Sequence, residues 1–216
     1  MRILLIASEP ASLVNFRGPL IKTLVDQGHR VFAAAPDLTE PQIVDVLDLG
    51  AEVVHVPLQR TGMNPLKDFK FLIAVWHRIR ALKPDLVITY TIKPNIWGGI
   101  AAGLARVASI SMVTGLGFVF TQREGQSKKG TFLRTVVSKL IRVSTGFHCR
   151  VIFQNPDDRD EFIAAGCLVD PDKARLVNGS GVDMAHYARA PLPEAPVFLM
   201  IARLLKNKGV KEYGVA

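Results

Sequence analysis

Arg17 and Gly18, at the start of a predicted helix, form the first group in the sequence that could do chemistry. The predicted helix spans Gly18–Gln27 and follows an apolar run at Ile3–Ala7. The free N–H groups and the positive dipole end of such a helix attract an anion, and Arg17 adds a full charge. The segment is therefore a candidate phosphate site, although taken alone an ordinary glycine-assisted helix start is the preferred interpretation. Residues 8–19 lack the G-x-G-x-x-G pattern, which argues against a dinucleotide-binding loop.

A polar loop at residues 89–95 follows another predicted strand and contains Tyr90, Lys93 and Asn95. Hydroxyl, ammonium and amide groups of this kind can bind a sugar through hydrogen bonds and a phosphate through charge. The spacing of these residues is equally typical of a solvated loop before a helix, so both interpretations stay open.

The last loop of the chain, at residues 203–209, carries Arg203 and Lys208. It lies between a predicted strand at Val197–Ile201 and the start of a helix. Two cations held at one strand-to-helix turn suit the two anionic groups of a diphosphate. A basic surface loop is the alternative, and out of its sequence context that alternative would be preferred.

A basic segment preceded by aromatic residues is a candidate membrane contact. Residues 121–150 contain seven basic residues and one acid, Glu124. They include a predicted amphipathic helix, whose apolar stripe is more often the core-facing side of a surface helix. The two phenylalanines before this helix would either cap the core or enter a lipid surface. The candidate membrane-contact residues are Phe118, Phe120, Lys128, Lys129 and Arg134.

Several other chemistries have no support in the sequence. None of the five histidines has a Ser, Cys or acidic partner at a spacing typical of a catalytic triad or a metal site. The acids at 157–161 open a predicted helix, where compensation of the helix dipole explains them. No catalytic residue, metal or cofactor is therefore assigned. Cys149 and Cys167 are predicted to be buried, reduced thiols of a cytosolic protein.

The net charge of +8 favours a polyanionic partner. Nucleic acid is not expected, because no aromatic platform is interleaved with the basic residues. A phosphorylated substrate and an anionic membrane surface are the remaining candidates, and the second of these would make the protein cytoplasmic and peripheral to the membrane.

Alternating strands and helices must position these loops. Asn64 and Pro65 predict the start of a helix over Leu66–Leu82, and residues 155–156 repeat that signal for a helix that ends at Gly166. The predicted class is α/β, a Rossmann-like, doubly wound parallel sheet, in which ligands bind beyond the carboxyl ends of the strands. The compact apolar runs that predict its strands are Ile3–Ala7, Arg30–Ala34, Glu52–Val56, Asp85–Tyr90, Ser109–Val113, Val151–Gln154 and Ala174–Val177.

The stretch Ile96–Phe120 is long enough to resemble a membrane span. Arg106 lies in its middle, and five glycines interrupt it. The pattern also changes from helical to strand-like at Ser109. A buried helix followed by a strand is therefore predicted here.

A proline-rich segment divides the chain. Residues 188–196 contain Pro191, Pro193 and Pro196, which predict a stiff connector. It would separate an N-terminal domain at 1–187 from the start of a second domain at 197–216. Because one strand and half a helix cannot bury a core, we expect the sequence to stop inside that second domain.

Taken in order along the chain, these segments resemble the retaining GT-B glycosyltransferases of family 4, in particular the bacterial enzymes of surface-polysaccharide synthesis. The likeness covers essentially the whole chain, and the number of matching segments in the right order makes it strong. The segments that carry it are NFRGPL at 15–20, RTGMNP at 60–65, TYTIKPN at 89–95, SMVTGLG at 111–117, FQNPDD at 153–158, GSGVD at 179–183 and the arginine–lysine segment at 202–209.

The resemblance implies a division of labour between two domains. The N-terminal domain would bind a lipid-linked saccharide acceptor of the undecaprenyl diphosphate type, oriented by Arg17, Tyr90, Lys93 and Asn95. The second domain would bind a nucleotide sugar, expected to be a UDP-sugar, with its diphosphate on Arg203 and Lys208 and no metal ion. Gly18 would let the backbone approach donor and acceptor.

One part of the family pattern has no counterpart in these 216 residues. Family 4 enzymes carry a paired-glutamate motif far into the second domain, and we therefore expect the isolated chain to be inactive. Two alternatives stay open: a non-catalytic acceptor- or membrane-binding remnant, and a sugar-nucleotide epimerase of similar layout.

Overall fold

Seven parallel strands form the central sheet, in the order β3-β2-β1-β4-β5-β6-β7. The computed structural model describes residues 1–60, 62, 64–116, 128–184, 187, 189–202, 204 and 209–215. The strands are β1 (Arg2–Ile6), β2 (Arg30–Ala35), β3 (Glu52–His55), β4 (Leu86–Tyr90), β5 (Ala108–Val113), β6 (Arg150–Phe153) and β7 (Ala174–Leu176). This architecture confirms the predicted Rossmann-like α/β class.

The order of strands reverses at β1. The chain runs outward from β1 through β2 to β3, and then returns to place β4 on the other side of β1. Where two neighbouring strands lead their connections away to opposite sides, a crevice forms beyond their carboxyl ends. The sheet therefore has its ligand-binding edge where β1 and β4 end.

Helices cover the sheet, and their ends follow the predicted capping signals. The side chain of Asn64 accepts hydrogen bonds from the backbone N–H groups of Leu66 and Lys67, and that of Asn155 accepts one from Asp158. The helices of this part of the chain are α1 (Ala11–Asn15), α2 (Gly18–Asp26), α3 (Glu40–Asp48), α4 (Pro65–Leu82), α5 (Gly99–Ala105), α6 (Lys128–Phe147) and α7 (Pro156–Ala164). A further helix, α8 (Val210–Tyr213), belongs to the C-terminal unit Val182–Ala216. A π-helical turn (Pro94–Gly98) precedes α5, and a 3-10 turn (Pro171–Lys173) precedes β7.

Apolar side chains on both faces of the strands build the core. Leu4 and Ile6 of β1 pack on one face with α4 and α5, whereas Ile3 and Leu5 pack on the other with the first three helices. A further cluster surrounds Phe153 of β6, beside α6 and α7. Burial on both faces explains why these strands are continuous apolar runs without alternation.

The stretch that resembles a membrane span is a helix followed by a strand, as predicted. The π-helical turn continues into α5, which ends at Arg106 in the left-handed conformation (φ 58°), and β5 begins two residues later. Among the described residues, no helix has the length and hydrophobicity needed to cross a bilayer.

Two predictions about individual segments are wrong. Val197–Ile201 is not a strand, and all of its apolar residues except Met200 are exposed. A strand requires a hydrogen-bonded neighbour, and the described part of the chain offers none there. Cys167 is buried as expected, but Cys149 is exposed because it lies in the turn between α6 and β6.

The chain divides into two compact units, Met1–Gly181 and Val182–Ala216. The first contains the whole sheet. The second contains α8, whose Tyr213 hydroxyl donates a hydrogen bond of 2.6 Å to the carbonyl of Phe198. The predicted boundaries at 1–187, 188–196 and 197–216 stay predictions.

Candidate functional site

The candidate site lies at the switch point of the sheet, where the loops after β1 and β4 meet. The Thr91 hydroxyl donates a hydrogen bond of 2.7 Å to the Ser8 hydroxyl and so ties the two loops together. Thr91 adopts a left-handed backbone conformation, with φ at 71°. This conformation is strained for a β-branched residue, and strain of this kind concentrates at functional sites.

Arg17 provides the main positive charge of the site. Its side chain is almost completely buried, with only 3% exposed, and its guanidinium lies 4.9 Å from the centre of the Tyr90 ring. Its Nη1 donates to the Ser180 hydroxyl at 2.7 Å and to the Phe16 carbonyl at 3.2 Å. Burial lowers the pKa of this guanidinium.

Within the described part of the chain, no carboxylate compensates the charge of Arg17. Its Nε has no hydrogen-bond partner, and no carboxylate among the described residues forms an ion pair with it. A buried cation without a counter-ion is costly. Arg17 also stands immediately before α2, whose N-terminal dipole adds positive potential. The site can therefore accept an anion.

Tyr90, the last residue of β4, packs its ring against the guanidinium of Arg17. Its ring is buried and its hydroxyl shares a hydrogen bond of 2.9 Å with Ser12. Burial raises the pKa of the phenol to about 12, so the ring stays neutral near pH 7. Tyr90 therefore stabilises the position of the guanidinium through a cation–π contact.

The segment after β7 crosses the sheet edge to reach Arg17. Ser180 accepts the arginine hydrogen bond and also receives one of 3.2 Å from the side chain of Gln154. Positive φ angles at Gly179 and Gly181, 75° and 69°, allow the turn on either side of Ser180. Residues 179–183 carry part of the family resemblance, but the sequence did not connect them to Arg17.

Lys93 is already paired within the protein. Its ammonium donates hydrogen bonds of 2.8 Å to Asp68 in the first turn of α4 and to the carbonyl of Gln59. Both side chains of the ion pair are largely buried, with 14% and 12% exposed. The pair fixes the loop after β4 against α4 and leaves Lys93 little capacity for an outside phosphate.

Asn95 also makes its hydrogen bonds within the fold. Its side chain accepts from Thr89 at 2.7 Å and donates to the Met112 carbonyl at 3.0 Å. Its own carbonyl faces Nε2 of His148 at 3.1 Å. Asn95 thus connects the π-helical turn to β5 and to the end of α6, and so fixes the conformation of the loop after β4.

His148 is a buried polar residue that the sequence analysis left isolated. Its ring nitrogens face the hydroxyls of Ser109 at 2.9 Å and Ser144 at 3.2 Å. Burial lowers the pKa of this histidine to about 4, so it is neutral near pH 7. It lines a small cavity of about 20 Å³, enough for roughly one water molecule.

An ion pair between Glu9 and Arg60 connects the loops after β1 and β3. Both residues are partly exposed at the carboxyl edge of the sheet. Arg60 belongs to the segment at 60–65 that carries part of the family resemblance, but Glu9 has no local sequence signal.

Gly18 faces the protein interior. A methyl group at this position would lie 3.7 Å from the Leu49 side chain, an ordinary contact distance. The backbone of Gly18 begins α2 next to Arg17, so its contribution to the site is its N–H group at the helix start.

The structure describes only some of the remaining predicted site residues. Arg203, Lys208, Phe118 and Phe120 lie outside the described residues, and Lys128 and Lys129 are described only as part of the α6 backbone. Arg134 is partly buried and lies 3.6 Å from Glu161. Among the described residues, no group of three or more metal-ligating side chains occurs.

Comparison with known proteins adds a family and several relatives. The profile of the glycosyl transferase 4-like domain matches residues 17–179. The chain is 28% identical to the Campylobacter jejuni N,N'-diacetylbacillosaminyl-diphospho-undecaprenol alpha-1,3-N-acetylgalactosaminyltransferase, over 99% of this chain and 59% of that protein. It is 29% identical to the Escherichia coli UDP-Gal:alpha-D-GlcNAc-diphosphoundecaprenol alpha-1,3-galactosyltransferase, over 68% of this chain and 36% of that protein.

A solved structure shares the fold. Anabaena Alr3699/HepE in complex with UDP and glucose superposes with a TM-score of 0.60 at 16% identity. The match covers 88% of this chain and 47% of that one. The chain therefore spans 59% or less of the length of these three proteins.

Proposed function

Because the chain belongs to the glycosyl transferase 4-like family, we propose that it forms the acceptor side of a glycosyltransferase. The acceptor is a saccharide linked through a diphosphate to a lipid of the undecaprenyl type, and the donor is a nucleotide sugar, in particular a UDP-sugar. Two relatives support this choice, because both are named for diphospho-undecaprenol acceptors and one for a UDP donor. The product would enter a surface polysaccharide.

The buried, uncompensated guanidinium of Arg17 is the observation that carries the proposal. A lipid-linked saccharide presents a diphosphate, the kind of group that an unpaired arginine binds with charge-assisted hydrogen bonds. Nε of Arg17 makes no hydrogen bond among the described residues, and α2 begins beside it. We assign the acceptor diphosphate, or the donor phosphate next to it, to this position.

The other predicted acceptor residues take supporting roles in this proposal. The Tyr90 ring positions the guanidinium of Arg17 through a cation–π contact. Lys93 and Asn95 fix the loop after β4 through their hydrogen bonds within the protein. Glu9 and Arg60 border the same edge and offer a carboxylate and a guanidinium to saccharide hydroxyls. The saccharide would therefore lie over the loops after β1, β3 and β4.

For the donor we retain the expectation of retaining, metal-independent transfer. Arg203 and Lys208 would stabilise the charge that develops on the diphosphate when the sugar–phosphate bond breaks. When the chain is assayed together with a donor-binding domain, a metal chelator should leave the rate unchanged. The anomeric configuration of the donor sugar should be kept in the product.

The partner membrane is the anionic inner surface of the bilayer, to which the protein would bind peripherally. The basic residues of α6 predicted from the sequence, Lys128, Lys129 and Arg134, are one candidate contact. The ion pair of Arg134 with Glu161 reduces the net charge at one end of this set.

The test of the proposed function is binding of an N-acetylhexosamine joined by a diphosphate to a short polyprenyl chain. Arg17→Met should weaken binding by about ten-fold or more, because a charge-assisted hydrogen bond is lost. Arg30→Met is the matched control, since Arg30 is exposed and paired with Glu52 on β3, at the opposite end of the sheet.

The same saccharide without its diphosphate is the second control and should be insensitive to Arg17→Met. Far-ultraviolet circular dichroism checks that both variants are folded. Equal binding by the parent chain and Arg17→Met, or an equal loss in Arg30→Met, would overturn the assignment.

A further inference from the structure

Helix α4 exposes a row of large apolar side chains. Leu66 is 75% exposed, Phe69 is 58% exposed and Ile73 is 39% exposed. Their spacing of three and four residues places them on one face of the helix. The opposite face is buried through Phe71, Val75 and Ile79 and other residues, so α4 packs on the core and still carries a second apolar surface.

The charges around this apolar row are all positive. Lys67 and Lys70 are exposed beside it, and Arg80 extends the same face toward the end of the helix. The one acidic residue of α4 is Asp68, which turns inward and pairs with Lys93. The exposed side of α4 therefore combines apolar side chains with uncompensated positive charge.

Helix α3 shows that exposed apolar residues alone do not create such a surface. Val44 and Leu47 are also about half exposed, but Asp45 and Asp48 lie next to them and are exposed too. A carboxylate beside an apolar side chain repels an anionic surface. The α3 face thus provides a natural control within the same chain.

We propose that the exposed face of α4, formed by Leu66, Phe69 and Ile73 with Lys67 and Lys70, docks on an anionic lipid bilayer. The apolar side chains enter the boundary between headgroups and acyl chains, and the lysines stay at the phosphate level. The binding surface is interfacial, because the helix is amphipathic and its other face belongs to the core.

The position of this face relates it to the candidate site. Asp68 in the first turn of α4 holds Lys93 of the loop after β4, and Thr91 of that loop bonds to Ser8 beside β1. Docking through the start of α4 therefore brings the acceptor loops close to the lipid surface. In this respect the inference rests on the proposed function, because a lipid-linked acceptor is presented at that surface.

Binding to vesicles without any acceptor tests the surface separately from the proposed function. The full chain is sedimented with phosphatidylcholine vesicles and with vesicles that contain phosphatidylglycerol. Leu66→Ser/Phe69→Ser/Ile73→Ser should reduce partitioning into anionic vesicles by at least ten-fold, whereas Val44→Ser/Leu47→Ser should leave it unchanged. Lys67→Gln/Lys70→Gln should lose about five-fold per lysine at low salt, since each basic residue near such a surface contributes about 1 kcal/mol.

A gain-of-signal variant protects the test from folding defects. Phe69→Trp should insert an indole into the bilayer, where brominated lipids quench its fluorescence. Val44→Trp should give no quenching by the same vesicles. Thermal unfolding of each variant accompanies the binding data.

Two other outcomes would overturn the proposal. If vesicle binding survives the triple serine variant but is lost in Lys128→Gln/Lys129→Gln/Arg134→Gln, the membrane contact is α6. If the triple variant changes a dimer into a monomer in sedimentation velocity and leaves vesicle binding unchanged, the α4 face joins two copies of the chain. The chain could also fail to bind anionic vesicles and still bind the acceptor analogue through Arg17. That result would reject this inference and leave the proposed function in place.

Discussion

At the scale of single residues, the ion pair between Asp68 and Lys93 connects a helix to the candidate site. Neither partner is much exposed, and the carbonyl of Gln59 takes a second hydrogen bond from the ammonium. Breaking such a pair leaves one charge buried without a partner, whereas replacing both residues removes the desolvation cost as well. The pair therefore matters more for the conformation of the loop than for net stability.

We expect Asp68→Asn to lower the free energy of unfolding by about 3 kcal/mol, because the Lys93 charge stays buried and unpaired. The double variant Asp68→Asn/Lys93→Met should recover most of that loss. Urea unfolding of both single variants and the double variant measures the coupling. Additive losses in the double variant would contradict the structural account.

His148 makes a second prediction at this scale. Its pKa is lowered to about 4 by burial, against an ordinary value of 6.5, so the folded protein binds this proton more weakly than the unfolded chain. The stabilising contribution is complete above about pH 6.5 and decreases as the pH falls toward 4. Between about pH 6.5 and pH 4, this residue lowers the free energy of unfolding by about 3 kcal/mol.

The measurement is urea unfolding at pH 7 and at pH 4.5. His148→Gln should be less stable at pH 7, because the hydrogen bonds to Ser109 and Ser144 are changed, and should show a smaller difference between the two pH values. An equal pH dependence in the variant and the parent would show that other groups control acid unfolding.

At the scale of elements, α5 and α6 approach each other through glycines. A methyl group at Gly99 would lie 2.3 Å from Nε2 of His148, and one at Gly103 would lie 2.3 Å from the Phe147 ring. These distances are far below contact distance, so the two helices need glycine at both positions. The glycines that argue against a membrane span in the sequence thus have a packing reason.

We expect Gly99→Ala to destabilise the protein by about 2 kcal/mol, since overpacking displaces the buried histidine and Ser144. Gly146→Ala is the matched control. It lies in α6 with no atom close to the added methyl group, and alanine favours the helix by up to about 1 kcal/mol. Thermal unfolding compares the two variants, and similar melting temperatures would contradict the packing argument.

The same scale shows what the sequence could predict. Every strand of the sheet was predicted to within one residue at each end, because continuous apolar runs bounded by turns are typical of strands buried on both faces. Helices α1 and α3 were not predicted. Helix α1 has five residues, too few to show a repeating apolar pattern. Helix α3 begins with a capping box between Thr39 and Gln42, a local sequence signal that was missed.

At the scale of the whole molecule, the parallel topology brings distant loops to one edge, and that part of the site was predictable. The partners within it were not. Arg17 contacts Ser180 across 163 positions of sequence, and Lys93 meets Asp68 across 25. No local sequence pattern predicts such pairings, because they depend on how the helices and the segment after β7 pack against the sheet. Hence the sequence could predict which loops lie at this edge, but it could not distinguish free cations from paired ones.

The last prediction concerns the donor, and it separates the two halves of the proposed reaction. A diphosphate site needs cations held in fixed directions by a strand and a helix. Residues 197–201, before Arg203, belong to no strand, and all of them except Met200 are exposed. Helix α8 has only four residues. By calorimetry, this chain should therefore bind UDP-sugars more weakly than micromolar, while it binds the polyprenyl-diphosphate saccharide through Arg17. Micromolar binding of a UDP-sugar would contradict this division and would assign donor recognition to the present chain.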